Sequence, residues 1–270
     1  MGGEKPPLVL LAAGGTGGHL FPAEALASAL KRRGIEVDLA TDERATRYGQ
    51  DFPARETHVI PSATIRGRNP IALAKTVLTL GIGAMQALRL MRRIRPVAVV
   101  GFGGYPTLPP LLAATLRRIP TVIHDANAVM GRANKLLAPR VSAIATSFPN
   151  IALDAPLAAK ATFTGNPIRP MVLAAAAQAY AAPDASSRFR LLVTGGSQGA
   201  RVMADVVPLG VEKMAPDLRA RLGIVQQARG VPLRVVGHHL VRAHEQHVGL
   251  GVGRHLFVEG AAIARAQRQR

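Results

Sequence analysis

Short apolar runs alternate with stretches of helical period along much of the chain. Leu8–Ala13, Glu36–Thr41, Thr57–Ile60, Val97–Val100, Thr121–His124, Ala143–Thr146 and Ala161–Thr164 read as strands. Between them, helices are expected over Phe21–Arg33, ended by Gly34, over Ile71–Arg95, stopped by Pro96, and over Thr107–Arg118 and Arg132–Leu137. This alternation predicts an α/β fold, a parallel sheet with covering helices. The Ala-rich stretch Met171–Ala182, closed by Pro183 and Asp184, reads as a bridging helix and linker. The pattern then restarts with a strand at Arg190–Thr194 and a helix over Ala200–Met214. The expected organisation is therefore an N-terminal domain over 1–165, a hinge and linker over 166–188, the start of a second α/β domain over 189–227, and a divergent tail over 228–270.

Three strand-to-helix turns are glycine-rich: Gly14-Gly15-Thr16-Gly17-Gly18, Gly101-Phe102-Gly103-Gly104-Tyr105 and Gly195-Gly196-Ser197-Gln198-Gly199. Such turns let backbone approach a ligand closely and aim helix N-terminal N–H groups at it, which suits phosphate or diphosphate. Neither GxxxxGK[ST] nor GxGxxG occurs, because the third glycine of the latter would fall at Leu20 or Pro106. By position Asp42 offers a ribose ligand to a dinucleotide reading, but it reads first as an N-cap for the next helix. His19 follows the first turn, where a neutral imidazole can take a proton from an attacking hydroxyl or simply bond to the turn backbone. His124 and Asp125 end a strand, and His124 reads as a buried structural residue.

Composition narrows the chemistry. The chain of 270 residues has no Cys, which excludes disulfides, thiolate metal sites and cysteine nucleophiles. Its net charge of +18 points to anionic partners, while aromatics at 4% offer no stacking platform for nucleic acid. Residues 219–270 concentrate charge, with nine Arg, no Lys and two Glu, and hold five of the eight His: His238, His239, His244, His247 and His255. The N-terminus lacks a signal-peptide pattern. The uncharged apolar stretch Thr76–Leu88 has 13 residues, short of the roughly 20 a span requires. With Lys75 before it and Arg89, Arg92, Arg93 and Arg95 after, it fits a core helix with dipole-complementing arginines or a helix lying on an anionic membrane.

Five segments together resemble one family: GGTGGHLFPAEALA (14–27), GFGGYPTLPPLLAA (101–114), HDANAVMGRANKLLA (124–138), TGNPIRP (164–170) and VTGGSQGARVMAD (193–205). They are similar to glycosyltransferase family 28, the bacterial enzymes that add GlcNAc to undecaprenyl-linked muramyl-pentapeptide. The resemblance implies the GT-B architecture, two Rossmann-like doubly wound domains facing a cleft, the second incomplete here. It implies inverting transfer from UDP-GlcNAc to the C4 hydroxyl of MurNAc in the lipid-linked acceptor, a step of peptidoglycan biosynthesis, without metal or cofactor. Carried over by motif, Thr16, Gly17, Gly18, Asn127, Arg169 and Ser197 would contact substrate, and His19 would be the general base. Gly14, Gly15, Gly103, Gly104 and Tyr105 would face the acceptor diphosphate. The family docks on the cytoplasmic face of the inner membrane, which here would use Arg66, Arg68, Lys75, Arg89, Arg92 and Arg93.

The sequence departs from the family at two places. The HEQN segment reads His124-Asp125-Ala126-Asn127, with Met130 at the following Pro position. After about Gln227 no family motif is found, and the tail reads as a truncated or frameshifted end, with Val231–Val236 and Leu250–Val258 as possible local strands. The alternative expectation is a catalytically impaired chain that binds the lipid diphosphate acceptor without transfer.

Overall fold

The computed structural model describes residues 6–43, 52–63, 70–180, 182, 184, 187–195, 200–228, 240–244 and 254–259, the last two segments as backbone only. The chain divides into two units, 1–177 and 178–270.

The first unit is built on seven parallel strands: β1 (Leu8–Ala12), β2 (Glu36–Thr41), β3 (Thr57–Val59), β4 (Ala98–Gly101), β5 (Thr121–Asp125), β6 (Ala143–Thr146) and β7 (Ala161–Phe163). Their spatial order is β3-β2-β1-β4-β5-β6-β7. Sequence order therefore reverses between β1 and β4, and a crevice opens beyond the carboxyl ends of strands at such a switch point. The helices are α1 (Gly17–Lys31), α2 (Pro70–Ile94), α3 (Leu108–Leu116), α4 (Arg132–Leu137), α5 (Ala155–Ala158) and α6 (Pro170–Ala176).

Burial alternates along the strands as their two-residue period requires. Val9, Leu11, Val37 and Leu39 pack with Leu20, Ala23 and Ala27 of α1 on one face. Leu10, Ala12, Ala40 and Val99 pack with Ala87, Leu90 and Met91 of α2 and Leu111 of α3 on the other. All five residues of β1 are buried, as expected of a strand covered on both faces. α2 ends at Ile94, and Arg95 takes a left-handed φ of 47° before Pro96.

The expected elements of the first unit are found within a few residues, apart from two differences. α1 begins at Gly17, inside the glycine turn, because Thr16 is extended and its carbonyl already accepts from His19 and Leu20 N–H groups. The Ala-rich helix expected to reach Ala182 stops at Ala176, and no residue of it is buried, so nothing holds the last turns.

The second unit contains β8 (Phe189–Val193), α7 (Arg201–Glu212), α8 (Pro216–Arg221), β9 (Leu222–Ala228), β10 (Leu240–His244) and β11 (Arg254–Glu259). β8 and β9 pair in parallel across α7, the beginning of a doubly wound unit. β11 then pairs antiparallel with β9, and β10 antiparallel with β11. β11 overlaps the expected strand at Leu250–Val258, whereas Val231–Val236 lies outside the described residues. Phe189, Leu192, Val202 and Val206 are exposed on β8 and α7.

Candidate functional site

The first two glycine turns leave β1 and β4, adjacent strands, so they meet at the switch point. The Gly14 N–H donates to the Gly103 carbonyl at 3.3 Å, and the Phe102 N–H to the Ala12 carbonyl at 2.8 Å. His19, on the first turn of α1, places its ring among three glycines. A Cβ on Gly14, Gly103 or Gly104 would lie 3.3, 3.1 or 3.3 Å from His19 ring carbons. Gly103 and Gly104 also have φ of 91° and 81°, a region L-residues rarely adopt. These glycines make the slot that seats the imidazole. Gly17 is explained by packing, since a Cβ there would strike the Phe21 ring. Gly18 is not: it is exposed, helical and faces open space.

A cavity of about 220 Å³ lies beside this slot, lined among others by His19, Gly103, Gly104, Tyr105, Asn127 and Asn134. Asp125 organises its far wall and is 1% exposed. Its Oδ1 accepts from the Asn127 N–H at 3.0 Å, and its Oδ2 from the Gly131 N–H and Asn134 Nδ2, each at 2.9 Å. One carboxylate therefore folds the loop 126–131 over the end of β5. Asn134 is the cavity residue that sequence reasoning missed. The available signal was an Asn between Ala133 and Leu137 on the buried side of a short helix.

His124 is held in a structural role at the end of β5. Its Nε2 lies 3.2 Å from the Gly165 carbonyl, which can only accept, so Nε2 carries the proton. Ser147 Oγ lies 3.1 Å from the same nitrogen. Burial pushes the His124 pKa below the ordinary histidine value, against the raising effect of the Gly165 bond. Arg169, just beyond Gly165, stacks its guanidinium 3.9 Å from the Phe21 ring centroid and lies 3.7 Å from Glu24 Oε2. The TGNPIRP segment is thereby anchored on α1, beside the first glycine turn.

Of the expected site residues, His19, Gly103, Gly104, Tyr105 and Asn127 line one cavity, and Gly14 abuts its His19 wall. Gly15, Thr16, Gly17 and Gly18 belong to the connected turn and helix start, and Arg169 joins through Phe21. Ser197 lies outside the described residues, although Gly195 is packed so tightly that a Cβ would strike the Ala200 nitrogen.

α2 presents two distinct faces. Ala87, Leu90 and Met91 are buried, while Leu78, Ile82 and Met85 are 65%, 43% and 53% exposed. With exposed Arg89 and Arg92, positions 78, 82, 85, 89 and 92 form one continuous stripe at i, i+4 and i+3 spacing, and exposed Lys75 precedes it by one turn. Arg93 leaves this stripe: its Nη2 lies 3.1 Å from Glu56 Oε1 and 3.4 Å from His58 Nδ1. Those residues continue to buried Asp38, which bonds Arg55 and His58 at 3.0 and 2.9 Å. Burial raises the Asp38 pKa, but the Arg55 and His58 bonds outweigh it and hold the carboxyl below its ordinary value. Asp38, Glu56 and His58 converge within 4.8 Å, yet these same side chains are engaged by Arg55 and Arg93, which makes the cluster a structural ion network. Arg66 and Arg68 lie outside the described residues. Among the described residues, no helix is long and apolar enough to cross a membrane.

Comparison with known proteins shows similarity in sequence and fold. Residues 9–146 match the N-terminal domain of glycosyltransferase family 28. Two proteins of Rhodopseudomonas palustris, from strains BisA53 and CGA009, are 61% and 64% identical over 227 and 224 residues. Each is named UDP-N-acetylglucosamine--N-acetylmuramyl-(pentapeptide) pyrophosphoryl-undecaprenol N-acetylglucosamine transferase. The aligned regions cover 84% and 83% of this chain and 61% of each relative, so the chain spans about three-fifths of their length. The crystal structure of Acinetobacter baumannii MurG superposes with a TM-score of 0.60 at 27% identity, covering 83% of this chain and 62% of that one.

Proposed function

The chain belongs to glycosyltransferase family 28, and on that premise we propose that it moves GlcNAc from UDP-GlcNAc to the C4 hydroxyl of the MurNAc residue in undecaprenyl-pyrophosphoryl-MurNAc-pentapeptide. The observation that carries this reading is the His19 ring, clasped by Gly14, Gly103 and Gly104 at the wall of a cavity. Inverting attack at an anomeric carbon needs a base fixed beside the acceptor hydroxyl and donors that receive the departing diphosphate. His19 supplies the base. Its slot removes rotational freedom that a histidine on an open surface would have to lose on reaction.

Gly17 and Gly18 at the start of α1 offer N–H groups to anionic oxygens of substrate, and Thr16, whose own N–H donates to the Gly14 carbonyl at 2.7 Å, offers its hydroxyl; the open space at Gly18 admits a ligand against the backbone. Gly15 and Tyr105 belong to the same acceptor wall. Arg169 and Ser197 would serve the leaving UDP, with Arg169 aimed by Phe21 and Glu24. On this reading 1–165 is the acceptor domain, 189–227 begins the donor domain, and 228–270 is a divergent tail.

The acceptor is a lipid, and α2 carries the matching surface. Leu78, Ile82 and Met85 would enter the headgroup region of an anionic membrane while Lys75, Arg89 and Arg92 bind its phosphates. This supports peripheral attachment to the cytoplasmic face of the inner membrane, in the service of wall synthesis during growth and division.

The test is UDP release from UDP-GlcNAc by the purified chain with a water-soluble, short-prenyl analogue of the acceptor, beside His19→Ala. Turnover that His19→Ala abolishes supports the assignment. Acceptor binding without turnover in either protein replaces it with the impaired, acceptor-binding reading.

A further inference from the structure

The start of α4 faces the cavity: Gly131, Arg132, Ala133 and Asn134 all line it. Ala133 and Asn134 are buried, whereas Arg132 is exposed, which puts Arg132 at the open rim. Its mount is rigid. The Gly131 N–H donates to Asp125 Oδ2 at 2.9 Å, and the Gly131 carbonyl accepts from the Lys135 N–H at 2.9 Å, so the backbone is fixed on either side of residue 132. The guanidinium is not spent on an ion pair in the lining, because Asp125, the carboxylate there, is buried and taken up by N–H donors. An exposed arginine is well solvated, and that alone calls for no ligand. Its place does. Among the described residues that line the cavity, Arg132 is the only fixed positive charge. The acceptor read into this cavity is a polyanion, with a diphosphate on C1 of the muramyl ring and a peptide, ending in a carboxylate, on the lactyl ether at C3.

We propose that Arg132 is an acceptor-binding residue whose guanidinium takes an oxyanion of the acceptor, a phosphate or a carboxylate, at the rim of the His19 cavity. The inference rests on the reading that this cavity receives the acceptor. A guanidinium presents parallel N–H donors that match two oxygens of either group. Its methylene stem lets the head reach the anion from a backbone that does not move. The glycine turns at 14–15 and 103–104 leave β1 and β4, whereas α4 follows β5, so Arg132 meets the acceptor from a different strand end. It thereby holds the acceptor at a second point and fixes the orientation of the ring whose C4 hydroxyl faces His19. Lys135 is the internal comparison: it is exposed and carries the same charge one turn along α4, but it does not line the cavity.

The experiment measures binding by titration calorimetry to the wild-type chain, Arg132→Gln, Arg132→Lys and Lys135→Gln. The probes are a short-prenyl muramyl-pentapeptide diphosphate and the same molecule with its lactyl group capped as a methylamide in place of the peptide. Arg132→Gln should bind the first probe about 5- to 30-fold more weakly, the scale of one charge-assisted contact open to water. Arg132→Lys should recover part of the loss, since it keeps the charge without the fork. Lys135→Gln should stay within about twofold of the wild type, its charge being screened at that remove. The second probe identifies the oxyanion: a loss seen with the first probe alone assigns the peptide carboxylate, and an equal loss with both assigns the diphosphate. In either case the loss should shrink as salt rises, which a merely structural role would not produce. Arg132→Gln that binds both probes like the wild type overturns the proposal and leaves the acceptor reading standing. An equal loss in Lys135→Gln overturns it too, by making the effect one of overall charge. Failure of the wild type to bind the first probe overturns the acceptor reading and this proposal with it.

Discussion

Gly103→Ala separates the seating of His19 from the exposure of backbone to ligand. Residue 103 has a φ of 91°, where an L-side chain costs about 1–2 kcal/mol. The new Cβ would also stand 3.1 Å from His19 Cε1 and 3.3 Å from Nδ1, so the ring must give by a few tenths of an ångström. Displacing a packed ring adds roughly 0.5–1 kcal/mol, for a total near 1.5–3 kcal/mol. In a unit of this size each kcal/mol moves Tm by about 2–4 °C, which predicts a fall of about 3–12 °C. Gly18→Ala is the internal comparison. Its Cβ meets nothing within 4 Å, and Gly18 lies in α1, where alanine is favoured by up to about 0.5–1 kcal/mol. The Tm of Gly18→Ala should hold or rise by up to about 4 °C, while its affinity for the soluble acceptor or for UDP-GlcNAc falls. Differential scanning calorimetry followed by ligand titration reads both quantities. A Gly103→Ala protein that melts with the wild type would refute the seating argument. A Gly18→Ala protein that melts lower would show that this glycine serves the fold.

Further perturbations test the remaining contacts. Asp125→Ala strands the Gly131 and Asn127 N–H groups and the Asn134 amide, and should cost about 3–5 kcal/mol by urea denaturation. His124 is held neutral, so its folded pKa is below the unfolded value near 6.5. The unfolded chain then binds more protons between the two values, and this stability is complete above pH 6.5 and declines as pH falls toward the folded pKa. NMR titration should place its midpoint below that of free histidine, and His124→Gln should flatten the stability slope on the acid side of pH 6.5. Arg95→Gly and Arg118→Gly relieve φ values of 47° and 55° after α2 and α3, and each should stabilise by about 0.5–1 kcal/mol in calorimetry. Leu78→Glu with Met85→Glu should leave Tm unchanged, because both side chains are exposed, yet reduce co-sedimentation with anionic vesicles at least tenfold. Undiminished sedimentation would remove α2 from the membrane contact.

The strands of the first unit and the glycine turns were legible because each is a local pattern. Glu36–Thr41 and Ala143–Thr146 end where their apolar runs end, and Pro96 and Gly34 mark helix stops through their own backbone chemistry. The Ala-rich segment after Met171 shows where such reasoning fails. Propensity favours a helix to Ala182, but none of its side chains finds a core, and it stops at Ala176. Nor does local pattern set strand direction: the tail's strand at Arg254–Glu259 runs antiparallel to its neighbours, a choice made by pairing.

The sequence by itself determined which residues line the ends of the strands and that three turns suit an anion. Tertiary structure decided what those residues do to one another. Gly103 is a cradle for His19 because the order β2-β1-β4 sets residues 14 and 103 side by side. Arg169 serves α1 because Phe21 and Glu24 meet it across the fold. Asn134 becomes a wall of the cavity because Asp125 and the His124 carbonyl take both its N–H groups. Hydrophobic period is written in neighbouring residues, whereas these contacts join residues far apart in the chain and exist once the sheet has chosen its strand order.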